Sequence, residues 1–292
     1  MDLKEYVGRY SRDNQVFWAA AIPWRRYKGI LKPLSPPHIE PDSNSGEIKK
    51  LLQASKTPLA MWTYNFDSAR SEWWWTIAER PYHLESLAKK ARYDIRYGLR
   101  SCNVRRVSGR LLADIGYACY ASAMQRHVQT APDTEPVFKA AMPVYDANEA
   151  YQIWGVFMND RLIGYGVYLL IDDIVINQDA IFDPAYFRYH VSHALVHTTT
   201  DYYLNQMDCR YITTGTRAIS HDTRFEDFLM RNFGYRRAYC GLGLEFRPAF
   251  RILVDCLYGL RGWWKKLPIS GDVKHRLHVI CELERIRGES RV

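Results

Sequence analysis

The sequence predicts a mixed α/β fold, and three observations carry that reading. From residue 151 onward the chain runs through short β-branched and aromatic segments and two helical ones in the order β-β-β-α-β-α-β. Elsewhere the apolar residues recur at three- and four-residue steps over a long stretch, so helices as well as strands are needed. The composition, 47% hydrophobic and 25% charged over 292 residues, is that of an ordinary globular chain with room for one or two domains.

Taken in order, residues 16–23, 27–31, 59–66 and 73–77 are strand candidates, separated by the Pro- and Ser-rich loop 34–45. Residues 82–99 turn helical because Leu84, Leu87, Ala91, Ile95 and Leu99 line one face. Residues 103–107 form a strand, 111–124 a mostly apolar helix, and 131–147, with two prolines, stay open between loop and broken helix. Residues 152–158 and 161–171 flank Asn159-Asp160 and read as a hairpin. Asp172-Asp173 turns the chain into a third strand, 174–182, which ends at Asp183-Pro184. A helix over 187–205 follows, burying Phe187, Val191, Ala194, Leu195, Thr198 and Tyr202, and then a strand over 210–214. The last helix of the unit opens with Thr223 and Glu226 at capping-box spacing and stops at Gly234. Residues 235–246 are a strand pair or one long strand, closed by Pro248.

Forty Lys and Arg against thirty-two Asp and Glu leave a net charge of +8, which permits a polyanionic partner without demanding one. Aromatic residues make up 14% of the chain, more than a minimal core needs, which suggests an aromatic-lined groove or contact surface. The polar start predicts no secretory signal, and no run approaches the roughly 20 apolar residues of a spanning helix. Six cysteines (Cys102, Cys119, Cys209, Cys240, Cys256, Cys281) stand singly and read as reduced thiols of a cytoplasmic protein.

The element order, together with Ile212-Thr213-Thr214-Gly215-Thr216-Arg217, Phe228-Leu229 and Phe233-Gly234-Tyr235, resembles the GNAT N-acyltransferase fold. The helix running from Leu87 through Arg92, Arg96 and Leu99 resembles the segment that precedes the second acyltransferase-like domain of Fem-type proteins. Those proteins carry two GNAT-like units and transfer amino acids from aminoacyl-tRNA to cell-wall precursors. The resemblance implies a reduced GNAT-like part over 1–102 ending in a long basic helix, a GNAT-like acyltransferase domain over 103–247, and a C-terminal amphipathic helical extension over 248–292. It also implies an acyl or aminoacyl transfer to an amine, with acyl-CoA or aminoacyl-tRNA as donor and a cell-wall or saccharide precursor among the candidate acceptors.

One departure bears on the donor. GNAT enzymes hold the coenzyme A pyrophosphate in a glycine-rich loop at a helix N-terminus. Here residues 183–193 contain no glycine and begin Asp183-Pro184. Fem-type members are similarly degenerate there. Ile181, Phe182, Arg188, His190 and Arg217 are the candidate donor-binding positions, Arg188 and the helix start being the phosphate holders.

The catalytic candidates follow from the same resemblance and from residue chemistry. His221, in Ser220-His221-Asp222-Thr223, has an imidazole suited to relaying a proton near neutral pH; capping accounts for Asp222 and Thr223 but not for His221. Gln178, Asp179 and the backbone around Ile181 lie towards the end of the third strand, where the fold's central strands splay; backbone N–H groups near Ile181 would form an oxyanion site and Asp179 would accept the amine proton. Tyr239 resembles the tyrosine that reprotonates the leaving group in many GNAT enzymes.

His190, His193, His197 and Asp201 recur at helical steps, but without a His-Glu-x-x-His signature they read as a polar helix flank, and no metal is expected. Arg92, Arg96 and Arg100, followed by Arg105 and Arg106, form a guanidinium row for phosphate or tRNA, against a solvated basic face. Trp73-Trp74-Trp75 alternates across a strand, so at least one ring faces away from the core. Residues 250–266 are amphipathic, basic and aromatic: a packed helix or a peripheral membrane contact. The reading from another class is a non-catalytic binding module of the same fold for RNA, a glycan or a membrane surface.

Overall fold

The computed structural model describes residues 1–44, 46–68, 71–125, 132–219, 224–264 and 271–290. The chain begins with α1 (Leu3–Tyr10), then β1 (Val16–Ala19), β2 (Ile22–Tyr27), β3 (Ile30–Pro33), α2 (Glu47–Ser55), β4 (Leu59–Tyr64) and β5 (Trp74–Glu79). It continues through α3 (Lys89–Ser101), β6 (Asn103–Val107), α4 (Gly109–Ile115), α5 (Tyr117–Met124) and α6 (Glu135–Ala141). Next come β7 (Tyr151–Met158), β8 (Arg161–Ile171), β9 (Ile174–Phe182), α7 (Val191–Asp201), β10 (Tyr211–Thr216) and α8 (Phe225–Phe233). Last are β11 (Arg236–Tyr239), β12 (Gly241–Phe246), α9 (Pro248–Gly259), α10 (Arg261–Trp264) and α11 (Gly271–Glu289).

The chain divides into two compact units, neither contiguous in sequence. The first comprises Met1–Asp2, Thr76–Gly215 and Arg224–Arg236; the second comprises Leu3–Trp75, Thr216–Thr223 and Arg237–Val292. This is a different partition from the segments 1–102, 103–247 and 248–292: α3 falls in the first unit, and α9 to α11 fall with the N-terminal strands in the second.

The first unit is built on strands of a seven-stranded mixed sheet in the order β11-β5-β10-β9-β8-β7-β6. The expected hairpin forms: β7 and β8 are antiparallel, and Asn159 and Asp160 adopt φ of 46° and 63°, the left-handed pair that a two-residue hairpin turn requires. Helices cover both faces. On one, Ile95 of α3, Val191 and Leu195 of α7, and Leu229 and Phe233 of α8 are buried with Val156, Val175 and Ile212 of the sheet. On the other, Leu112, Cys119 and Phe138 of α4 to α6 pack with Ile153, Tyr165 and Val167. Ser108 starts α4 by accepting the Leu111 N–H at 3.1 Å, and Gly234 ends α8 at φ 70°.

The second unit carries a five-stranded sheet in the order β1-β2-β3-β4-β12. Trp24, Leu31, Leu52 and Trp62 form one apolar cluster in it; Leu59, Trp73, Leu242, Leu244, Val254 and Ile286 form another. Trp73 is buried, whereas the guanidinium groups of Arg217 and Arg237 lie over the Trp74 ring, 4.9 and 4.3 Å from its centre.

Several local expectations change. The segment 235–246 is two strands in two different sheets, because β12 pairs with β4 along its whole length. Helices α1 and α2 carry no counterpart among the sequence expectations, whereas α9 and α11 fall within the helical extension expected over 248–292. The apolar stretch 111–124 is two helices meeting at Gly116, and 187–205 begins with a 3-10 turn (Pro184–Tyr189) before α7. Residues 135–147 resolve into α6 and a 3-10 turn. The proposed capping residue Thr223 lies outside the described residues.

Candidate functional site

The parallel strands β9 and β10 pair only through Tyr211/Ile174, Ile212/Val175 and Thr213/Ile176. Beyond Ile176, β9 runs six residues further to Phe182 without a β10 partner. At the fork Thr213 donates its hydroxyl to Thr76 O of β5 at 2.9 Å, and Gly215 takes φ 103°, a conformation that favours glycine. The two central strands thus fork, leaving main-chain groups of β9 without a partner from β10 at the fork.

A bulge accompanies the fork. Tyr168 faces Asn177 but Val167 faces Asp179, so Gln178 is the extra residue on β9. Asp179 therefore shares a face with Val167 and Tyr165, the face lined by Tyr117, Tyr120, Phe138, Tyr145 and Tyr151. Asp179 is itself exposed to solvent, and partial desolvation by its neighbours raises its carboxyl pKa. Burial, and then the Asp179 charge, push the Tyr145 phenol up to about 12; the buried Tyr165 phenol is raised too, by burial, then by Cys119 and Asp179. Both phenols stay protonated at neutral pH, and a carboxylate held near two proton donors is a competent acid–base arrangement. Tyr145 also borders a groove of about 300 Å³ with Arg106, Asp146, Glu149 and Tyr151. In sequence nothing in their neighbours distinguishes Tyr145 or Tyr165 among twenty-one tyrosines.

Asp183, just past β9, is buried and fixes the next turn: it accepts the Ser122 hydroxyl at 2.8 Å and the Ala185 N–H at 3.1 Å. Ile181 and Phe182 fall on opposite faces, Ile181 with the tyrosines and Phe182 with the α7 core. Arg188 lies over the Tyr189 ring at 4.8 Å.

The start of α7 does not form a pyrophosphate cradle. A Cβ on Gly98 of α3 would come within 2.7 Å of His190 O and 3.2 Å of Ala194 N, so α3 closes over the first turn of α7. His190 itself takes φ 54° and provides no side-chain cap. The buried Asp94 carboxylate stands 3.8 Å from His190 Nε2, placing negative charge where a phosphate would need to approach.

The histidine stripe is divided by its surroundings. His193 Nε2 is 4.0 Å from Asp94, and its pKa is lowered to about 4 by desolvation and then by His190. His197 instead shares a 2.9 Å hydrogen bond with Tyr82 through Nδ1, and Asp201 accepts from Asn205 at 2.8 Å.

The guanidinium row is divided as well. Arg92 and Arg96 both engage Glu85, Arg96 at 2.5 Å, while Arg100 lines an open groove of about 530 Å³ with Asn103, Asn159 and Thr198. Arg217 and Tyr239 belong to the second unit, where Arg217 pairs with Glu72 at 3.0 Å and Glu282 at 3.5 Å, and Tyr239 is exposed with its ring edge-on to Trp74. His221, with Ser220 and Asp222, lies outside the described residues.

No family model matches the chain, and no curated protein matches it in sequence. Among solved structures, the C-terminal domain assigned to a lysylphosphatidylglycerol synthetase from Agrobacterium fabrum aligns over 87% of this chain and 94% of its own, with TM-score 0.53 and 9% identity. FemX aligns over 80% of this chain and 86% of its own, with TM-score 0.53 and 9% identity. L-PGS from Bacillus licheniformis aligns over 96% of each chain, with TM-score 0.50 and 10% identity. With the forked parallel strands and the bulge on β9, these likenesses establish the fold: a GNAT-like mixed α/β fold of the form shared with FemX and the lysylphosphatidylglycerol synthetase C-terminal domain.

Proposed function

We propose that the protein transfers an aminoacyl group from an activated ester, carried by tRNA, to an amine. The observation that supports this reading best is the combination of a fork at β9 and β10 with a raised-pKa carboxylate beside it and no phosphate cradle at α7. An ester donor on a large carrier needs no pyrophosphate pocket, whereas acyl-CoA does. The likeness to FemX and to a lysylphosphatidylglycerol synthetase domain agrees with such a donor, and makes a cell-wall precursor or a lipid headgroup the acceptor classes to test.

In this reading the amine attacks the ester carbonyl directly, and β9 N–H groups near Ile181, on the stretch without a β10 partner, stabilise the developing oxyanion. Asp179 takes the proton from the attacking nitrogen as the C–N bond forms. The C–O bond to the ribose then breaks, and a phenol returns a proton to the leaving oxygen. Tyr145, in the same unit as Asp179 and within reach of its charge, is assigned this role in preference to Tyr239. His221 remains a second candidate base. Arg100, which has no ion-pair partner among the described residues, and its groove supply a guanidinium for the carrier's phosphates, whereas Arg92 and Arg96 must first leave Glu85.

The deciding experiment follows radiolabelled amino acid from a set of charged tRNAs, and acetyl from acetyl-CoA, onto lipid-linked and soluble amine acceptors. Transfer from charged tRNA that is lost in Asp179→Asn supports the proposal. Transfer from acetyl-CoA alone, or full activity in an Asp179→Asn, His221→Ala double variant, sinks it. RNA binding without any turnover would instead favour the binding-module reading.

A further inference from the structure

We propose that Asp94, His190 and His193 form a binding site for a divalent transition-metal ion of the zinc type, clipping α3 to the start of α7. One oxygen or nitrogen from each side chain lies within 4.8 Å of the others. The pairs are His190 Nε2 to Asp94 Oδ1 at 3.8 Å and His193 Nε2 to Asp94 Oδ2 at 4.0 Å. These gaps are too long for hydrogen bonds. They are close to the spacing of ligand atoms around a common ion, since metal–ligand bonds of about 2.0–2.2 Å set neighbouring ligands roughly 3–4 Å apart.

The electrostatics of the cluster want a cation. Asp94 is buried on α3, and its short contact is the ammonium of Lys90 at 2.8 Å, a side chain 84% exposed and free to swing away. A buried carboxylate with a single mobile counter-ion is undercompensated. The imidazoles are positioned independently of Asp94. The His193 ring is packed edge-on against Phe228 at 4.9 Å and beside Phe233, and its buried Nδ1 has no hydrogen-bond partner among the described residues, so packing orients the ring and leaves Nε2 facing the carboxylate. His190 is held by the left-handed cap of α7 and by ring contacts with Tyr97 and His193. The Gly98 contact fixes the two helices one turn away.

Two imidazole nitrogens and one carboxylate suit zinc, cobalt or nickel rather than calcium or magnesium, and three protein ligands leave a coordination position open. The two histidines stand three residues apart in sequence, but the third ligand comes from a helix almost a hundred residues earlier.

The test uses tag-free, chelator-treated full-length protein. Titration with Co²⁺, followed by visible absorption, is expected to give ligand-field bands that Zn²⁺ displaces stoichiometrically, and Zn²⁺ alone is expected to raise the melting temperature. Asp94→Asn and His193→Gln should each weaken Co²⁺ binding roughly tenfold or more, while His197→Gln, outside the cluster, should not. Lys90→Ala should tighten it, because a competing cation is removed; this exposed change is the safeguard should the buried variants misfold. Absence of a cobalt spectrum in the wild-type protein, unaltered binding in Asp94→Asn and His193→Gln, or weaker binding in Lys90→Ala would each overturn the proposal.

Discussion

Gly98 of α3 lies against His190 so closely that a side chain there would put its Cβ 2.7 Å from the His190 carbonyl oxygen. That atom belongs to main chain and cannot rotate aside, so Gly98→Ala must shift one helix. The expected outcome is a loss of about 1–3 kcal/mol in urea unfolding, typical of overpacking. A variant as stable as the wild type would mean that the two helices are not held at this spacing.

Asp179→Asn is expected to abolish transfer and, at neutral pH, to stabilise the protein. A carboxyl whose folded pKa is raised binds its proton more tightly when folded, so its ionisation opposes folding as pH rises through that pKa. In the wild type the acidic limb of the pH–rate profile should lie above the ordinary aspartate range. Calorimetry of the variant together with that profile separates the catalytic role from a structural one, which would lower the melting temperature instead.

The metal-free protein should lose stability as pH falls from about 6.5 towards 4, because the unfolded His193 takes up a proton that the folded one refuses. Asp94 and Lys90 of α3 and His190 face this ring, and Phe228 and Phe233 of α8 close its apolar side. His193→Gln should flatten this part of the stability curve, measured by thermal unfolding in chelator across that range. An unchanged slope would place the acid-sensitive group elsewhere.

Trp154 donates its indole N–H to Tyr203 Oη at 3.0 Å, and that hydroxyl donates to Gln152 Oε1 at 3.0 Å. Tyr203→Phe leaves the buried indole donor without its acceptor and should cost about 1–3 kcal/mol. Denaturant unfolding reads this directly, and a loss well below that range would imply that water replaces the hydroxyl.

Tyr145→Phe and Tyr239→Phe distinguish the two candidate acids. A fall in kcat with little change in KM is expected for Tyr145→Phe alone, and the reverse assignment follows if only Tyr239→Phe shows it.

Much of the first unit is legible from local patterns. The hairpin at Asn159-Asp160, strand β9 and the end of α8 at Gly234 each carry their signal within a few neighbouring residues, because turn conformation and side-chain alternation are local properties. The assignment of β12 to a different sheet from β11 is of another kind. Adjacent residues can hydrogen-bond to strands far apart in sequence, and β12 finds β4 across some 180 residues.

By itself, then, the sequence determined the alternation of strands and helices, the absence of a glycine loop before α7, and Asp179 as a carboxylate at the end of the third strand. Only the folded chain puts Asp179 past a bulge on a face with tyrosines of α5, β7, β8 and the turn after α6, lets Glu85 occupy two of three row arginines, and brings Asp94 to His190 and His193. The reason is physical: conformational preference acts between neighbours, while desolvation and charge pairing act through space between residues that only the folded chain brings together.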